Sequence, residues 1–120
     1  MIDHVSLRVA DIARSKRFYS AALAPLGYVL DADYGQAAGF GIGGKPDFWI
    51  GAGGSGAGAH VCFAAASRAQ VDAFHKAALA AGGRDNGAPG IRAEYHPNYY
   101  GAFVLDPDGH NVEVVNHNRG

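Results

Sequence analysis

Two histidines and one glutamate have the types and positions to do chemistry together. His4 opens the run HVSLRV, His60 opens HVCFA, and Glu113 lies inside NVEVV. In an extended chain successive side chains point to opposite faces. Val5, Leu7 and Val9 therefore share one face while His4, Ser6 and Arg8 share the other. Likewise Val112 and Val114 oppose Asn111 and Glu113. The valine faces are the ones to be packed, which leaves both imidazoles and the carboxylate on unpacked faces. Two imidazoles and a carboxylate on one side of a divalent ion leave other coordination positions open, a donor set suited to Fe(II), Mn(II), Ni(II) or Zn(II). Singly, a histidine at a strand start or a glutamate in a last strand is ordinarily solvated. The candidate metal ligands are His4, His60 and Glu113 because the three are placed alike.

A second concentration of chemistry is RAEYHPNYY, residues 92–100. Tyr100 and His96 are candidate catalytic groups beside Glu113, since a tyrosine can act as an acid near a metal and a histidine exchanges protons near neutral pH. Arg92, Tyr95, Asn98 and Tyr99 are candidate substrate contacts, as binding residues favour loops held by a rigid scaffold. The competing reading is a turn at His96-Pro97-Asn98 with tyrosines covering a sheet edge. Trp49 either lines the substrate face or fills the core. Cys62 shares the face of His60, and a lone cysteine is more often a small apolar filler than a ligand. His75 and His110 read as exposed.

These residues must be held by strands, and the pattern supplies them. Residues 101–115 carry two apolar runs around Asp106-Pro107-Asp108-Gly109, a β-hairpin signature in which Pro presets φ and Gly accepts a positive one. Upstream, a strand over 2–9 leads through Asp11, a helix N-cap, into a helix over 12–26 that Pro25 and Gly27 end. Short strands follow at 28–34, 37–42 and 47–51. Then the pattern restarts. Shifted by 56 residues, 4–27 matches 60–83 at 10 of 24 positions, pairing His4 with His60, Phe18 with Phe74 and Gly27 with Gly83. A repeat of this length points to two βαβββ units. The second has a strand at 59–65, a helix at 68–82 after the cap Ser67, and strands near 91–95, 100–105 and 111–116. The expected fold class is α+β, with two βαβββ modules forming a curved mixed-sheet cup and helices on its outer face. One domain spans 1–118: module 1 over 1–51, a Gly-rich flexible linker over 52–58, and module 2 over 59–118.

Composition narrows the function. The chain has 120 residues, 10 Lys and Arg against 11 Asp and Glu, a net charge of −1 and one cysteine. Nothing basic suggests nucleic acid or a membrane surface. The single Cys62 offers no internal disulfide and fits a reducing compartment. The opening MIDHVSL lacks the bases and apolar core of a secretion signal, so a cytoplasmic protein is expected.

The paired βαβββ modules, the histidine opening each, and the DPDG hairpin followed by Glu resemble the vicinal oxygen chelate superfamily of glyoxalases, fosfomycin-resistance transferases, bleomycin-binding proteins and extradiol dioxygenases. The resemblance covers nearly the whole chain. It implies metal ligands at His4, His60 and Glu113 and a divalent-metal-dependent lyase, transferase or dioxygenase acting on a small oxygenated substrate. The alternative it offers is a metal-free protein that sequesters a small molecule, of the bleomycin-resistance type. Glyoxalase-type lyases in the superfamily add a second carboxylate at the first module's equivalent of Glu113. Here that position falls on Ile50 or, one residue over, on Trp49, and neither binds a metal. The resemblance also implies a homodimer, with sites drawing a histidine from one chain and His plus Glu from the other.

Overall fold

The computed structural model describes residues 1–54 and 58–119. Each half folds as strand, helix and three strands. Module 1 runs β1 (Val5–Val9), α1 (Ile12–Leu23), β2 (Val29–Asp33), β3 (Ala37–Ile42) and β4 (Lys45–Ala52). Module 2 runs β5 (His60–Ala64), α2 (Arg68–Ala80), β6 (Arg84–Ile91), β7 (Tyr100–Leu105) and β8 (Asn111–Asn116). The strands form two mixed four-stranded sheets in the orders β1-β4-β3-β2 and β5-β8-β7-β6. In each, the first strand lies parallel to the last. The expected α+β fold and its repeat are thus present in full.

Local chemistry explains the element ends. Asp11 caps α1 by accepting the amide of Arg14 at 3.0 Å, and Ser67 caps α2 by accepting that of Gln70 at 3.2 Å. Pro25 stops α1 early, so its last turn becomes a short 3-10 segment, Ala24–Leu26. Gly109 takes φ 91°, which closes the DPDG turn between β7 and β8.

Two expectations on boundaries change. β6 occupies 84–91, not 91–95, and Arg92 to Tyr99 form the loop after it. β4 continues to Ala52, taking the first residue assigned to the linker, because Arg8 and Val9 pair with Gly51 and Ala52. The rest of the linker partly escapes description, since residues 55–57 lie outside the described residues.

One helix covers one face of each sheet, and the two modules share a single apolar core. Phe18 and Tyr19 of α1 pack edge to face at 4.9 Å, and Tyr19 meets Phe48 of β4 at 4.8 Å. Phe48 in turn meets Phe63 of β5 at 5.2 Å, carrying the core across the module boundary. Phe18 and Phe74, the repeat-related pair, are both fully buried. Burying each such ring stabilises the fold by roughly 1.5–3 kcal/mol before conformational entropy is counted.

Polar groups of the DPDG turn fasten the modules together. Tyr19 Oη donates to Asp106 Oδ2 at 2.5 Å in a buried contact, and the Ala10 amide donates to Asp108 Oδ1 at 2.9 Å. His110 was expected in solvent but is 5% exposed. Its Nδ1 accepts the Ala59 amide at 3.3 Å, so the hydrogen sits on Nε2, which donates to the Arg8 carbonyl at 2.9 Å. Among the described residues no strand of one sheet pairs with a strand of the other, so β1 and β2 edge the first sheet and β5 and β6 the second.

Candidate functional site

Glu113 is the centre of module 2's helix-free face. Its strand neighbours Val112 and Val114 are fully buried in the core, so the alternation turns Glu113 the other way. It is nevertheless only 3% exposed. A carboxylate removed from water must be paired and hydrogen-bonded, and this one is. His60 Nε2 stands 2.9 Å from Oε1, and Tyr99 Oη donates to Oε2. Desolvation first, then the hydrogen bond to Glu113, push the Tyr99 hydroxyl well above its ordinary value, so it remains a donor at neutral pH. Cys62 pairs with Glu113 in the parallel register. Loss of hydration and then the Glu113 charge push its thiol up to about 12, which keeps it protonated.

Phe103, which sequence reasoning did not single out, is the antiparallel partner of Glu113 and so shares its face. Its ring lies 6.2 Å from that of His60, and the Arg92 guanidinium sits 5.4 Å above it. The hairpin register alone would have identified it, since Leu105 opposite Asn111 puts Phe103 opposite Glu113.

The aromatic loop divides differently from expectation. Tyr99, expected among the substrate contacts, is the tyrosine at the carboxylate. Tyr100, expected beside Glu113 as a catalytic group, begins β7 on the helix side. There its hydroxyl donates to Asp72 Oδ1 at 2.6 Å and its ring lies beneath Arg68. It alternates with Gly101 and Phe103, so it cannot share their face. His96 Nδ1 accepts the Asn98 amide at 3.0 Å, and its Nε2 therefore donates to His117 Nδ1 at 2.6 Å. This pair stacks behind Tyr99 and does not contact Glu113. Tyr95 packs edge-on against Tyr99 at 4.8 Å and is largely exposed. Asn98 contributes its backbone amide to the His96 contact.

His4 belongs to the other sheet. It just precedes β1, with Nδ1 2.8 Å from Asp3 Oδ2. It lines a cavity of about 750 Å³ on the helix-free face of module 1, together with Ser6, Arg8, Gln36 and Trp49. Neither His60 nor Glu113 lines that cavity. Among the described residues no three His, Cys, Asp or Glu side chains converge within one chain. The chain brings His60 and Glu113 together and leaves His4 apart.

The register decides which residue stands where a second carboxylate would. Ser6 pairs with Trp49 as Cys62 pairs with Glu113, so Trp49 is the equivalent of Glu113. Ile50 is fully buried in the core. The indole lies on the open face and stacks nearly parallel to Tyr34, at 7° and 6.2 Å.

The sequence profile of the glyoxalase/bleomycin resistance protein/dioxygenase superfamily matches residues 1–114. Among solved structures, a glyoxalase/bleomycin resistance protein from Albidiferax ferrireducens T118 is 30% identical, with a TM-score of 0.85 over 97% of this chain and 98% of that one. A glyoxalase/bleomycin resistance protein/dioxygenase family enzyme from Burkholderia phytofirmans PsJN is 21% identical, with a TM-score of 0.76 over 98% of both chains. A glyoxalase-related enzyme from Fulvimarina pelagi is 18% identical, with a TM-score of 0.76 over 97% of this chain and 87% of that one. At these lower identities the likeness is one of fold. Comparison with curated proteins gives no match. No helix among the described residues is long and apolar enough to cross a membrane.

Proposed function

The chain belongs to the glyoxalase/bleomycin resistance protein/dioxygenase superfamily, and on that premise we propose that it is a divalent-metal-dependent enzyme whose site is assembled by two copies of the chain. His60 and Glu113 of one copy hold the ion, and His4 of the other completes the set. The observation that carries this reading is the His60–Glu113 contact of 2.9 Å on an open sheet face, with the carboxylate withdrawn from solvent. An imidazole nitrogen and a carboxylate oxygen side by side suit Fe, Mn, Ni or Zn. Among the described residues no third His, Cys, Asp or Glu converges on the pair within one chain, which favours a third ligand from another copy. Two further features favour a second copy: the open edges of both sheets, and that neither His60 nor Glu113 lines either of the two cavities in which His4 takes part.

When bound, the ion supplies Lewis-acid polarisation of a substrate's neighbouring oxygens. The chain's own residues do the remainder. Tyr99 holds the outer oxygen of Glu113 and so fixes its orientation, as partners of metal ligands do. Phe103 and Arg92 floor the face beside His60. On the first module, Trp49 replaces a carboxylate, so the site has no fourth ligand and no protein base from that strand. Isomerisation of a glutathione hemithioacetal is disfavoured for that reason, while group transfer and ring-cleaving dioxygenation remain compatible with three ligands.

The test is elemental analysis and Zn(II) titration of purified protein beside His60→Ala and Glu113→Ala. The expected result is about one ion per chain in the wild type and at least a hundredfold weaker binding in each variant. Wild-type binding in both variants would overturn the assignment and leave metal-free sequestration as the better reading.

A further inference from the structure

Module 1's cavity carries more information than a general substrate face. Three consecutive atoms of the Trp49 six-membered ring would each lie 2.9 Å from a Cβ placed on Gly39. A point equidistant from three such atoms lies on the ring axis, so the indole lies flat on the Gly39 backbone. Only a glycine permits this approach. The indole is thereby seated against the sheet, with Tyr34 stacked nearly parallel to it at 6.2 Å, and the pair makes an aromatic wall where Trp49 lines the cavity.

Arg8 stands diagonally across from it, since Ser6 pairs with Trp49 and Arg8 with Gly51. Although exposed, Arg8 is held at both ends. Its carbonyl accepts His110 Nε2 at 2.9 Å, and its Nη1 donates to the Ala52 carbonyl at 3.1 Å. Among the described residues that is the guanidinium's only hydrogen bond, and it forms no ion pair. The cavity's carboxylate, Asp3, is engaged by His4 at 2.8 Å. Arg8 is the one Lys or Arg lining the cavity, and its remaining guanidinium donors form a fork whose geometry suits a carboxylate.

From this juxtaposition we infer that the cavity binds a small aromatic acid, with its ring against the Trp49–Tyr34 wall and its carboxylate on the Arg8 guanidinium. This deepens the proposed function by naming the substrate class of the same site, and it rests on that reading only for the chemistry that follows binding. The face itself is complete within one chain and involves none of the proposed metal ligands other than His4.

Trp49 is the chain's only tryptophan, so its emission reports this face alone. Chelator-treated protein is titrated with benzoate, benzamide, benzamidine and acetate, and metal content is measured separately, so the two ideas fail independently. Benzoate is expected to change the emission saturably and to bind about tenfold or more tighter than benzamide or benzamidine, while acetate gives no change. Arg8→Gln is expected to remove the preference for benzoate while leaving benzamide binding in place. Gly39→Ala, which lifts the ring, should weaken both ligands together. Equal binding of benzamidine and benzoate, no saturable response to either, or an intact benzoate preference in Arg8→Gln would each overturn the inference.

Discussion

Tyr99 and Tyr100 are neighbours in sequence yet serve opposite faces of the second sheet. Tyr99 Oη donates to Glu113, whereas Tyr100 Oη donates to Asp72 on α2. If Glu113 is a metal ligand, Tyr99 tunes it, and Tyr99→Phe should weaken metal binding about 10–100-fold, the usual effect of losing a ligand's supporting bond. Tyr100→Phe should leave the affinity unchanged. Isothermal titration of both variants with Zn(II) checks the pair, and equal effects would contradict the division. The sequence could place Glu113 opposite its valine neighbours because alternation along β8 is strict. It could not separate the two tyrosines, because the loop has no period and the start of β7 decides which one enters the strand. Trp49 was ambiguous for a related reason. Only the parallel register of β1 with β4 puts it, and not Ile50, at the open-face position.

At the scale of elements, the DPDG hairpin was visible as a turn, but its role as a clamp was not. Asp106 accepts Tyr19 from α1 as well as the amides of Asp108 and His110. Removing one hydroxyl donor from a buried charged acceptor costs about 1.5–3 kcal/mol. Tyr19→Phe should therefore lower the unfolding free energy by that amount in urea, with an unchanged m-value if the transition stays two-state. A loss below about 0.5 kcal/mol would show that the remaining donors suffice. The strand missed by sequence reading has a physical excuse. Residues 84–91 read RDNGAPGI, rich in residues that strands avoid. β6 is an edge strand with register shifts at Gly87 and Gly90, and an edge tolerates Pro89 where an interior strand would not.

The repeat made the whole molecule legible as two like modules, since His, Phe and Gly recur at one spacing across both. How the modules meet was not legible, because that depends on contacts such as Phe48 with Phe63 and Tyr19 with Asp106, which no local pattern encodes. Within one chain the modules join through helices, core and the hairpin turn, and among the described residues both sheets keep open edges, β1 and β5 among them. Free edges invite pairing, and a two-fold pairing of chains would create two equivalent sites. The measurement that tests this most directly mixes His4→Ala protein with Glu113→Ala protein, allows the subunits to exchange, and counts bound metal in the isolated mixed dimer. A mixed dimer carries both lesions in one site and leaves the other intact, so the account predicts about one ion per mixed dimer where each parent variant binds tightly to none. No recovery of metal in the mixed dimer, or a chain that remains monomeric while binding metal fully, would contradict it.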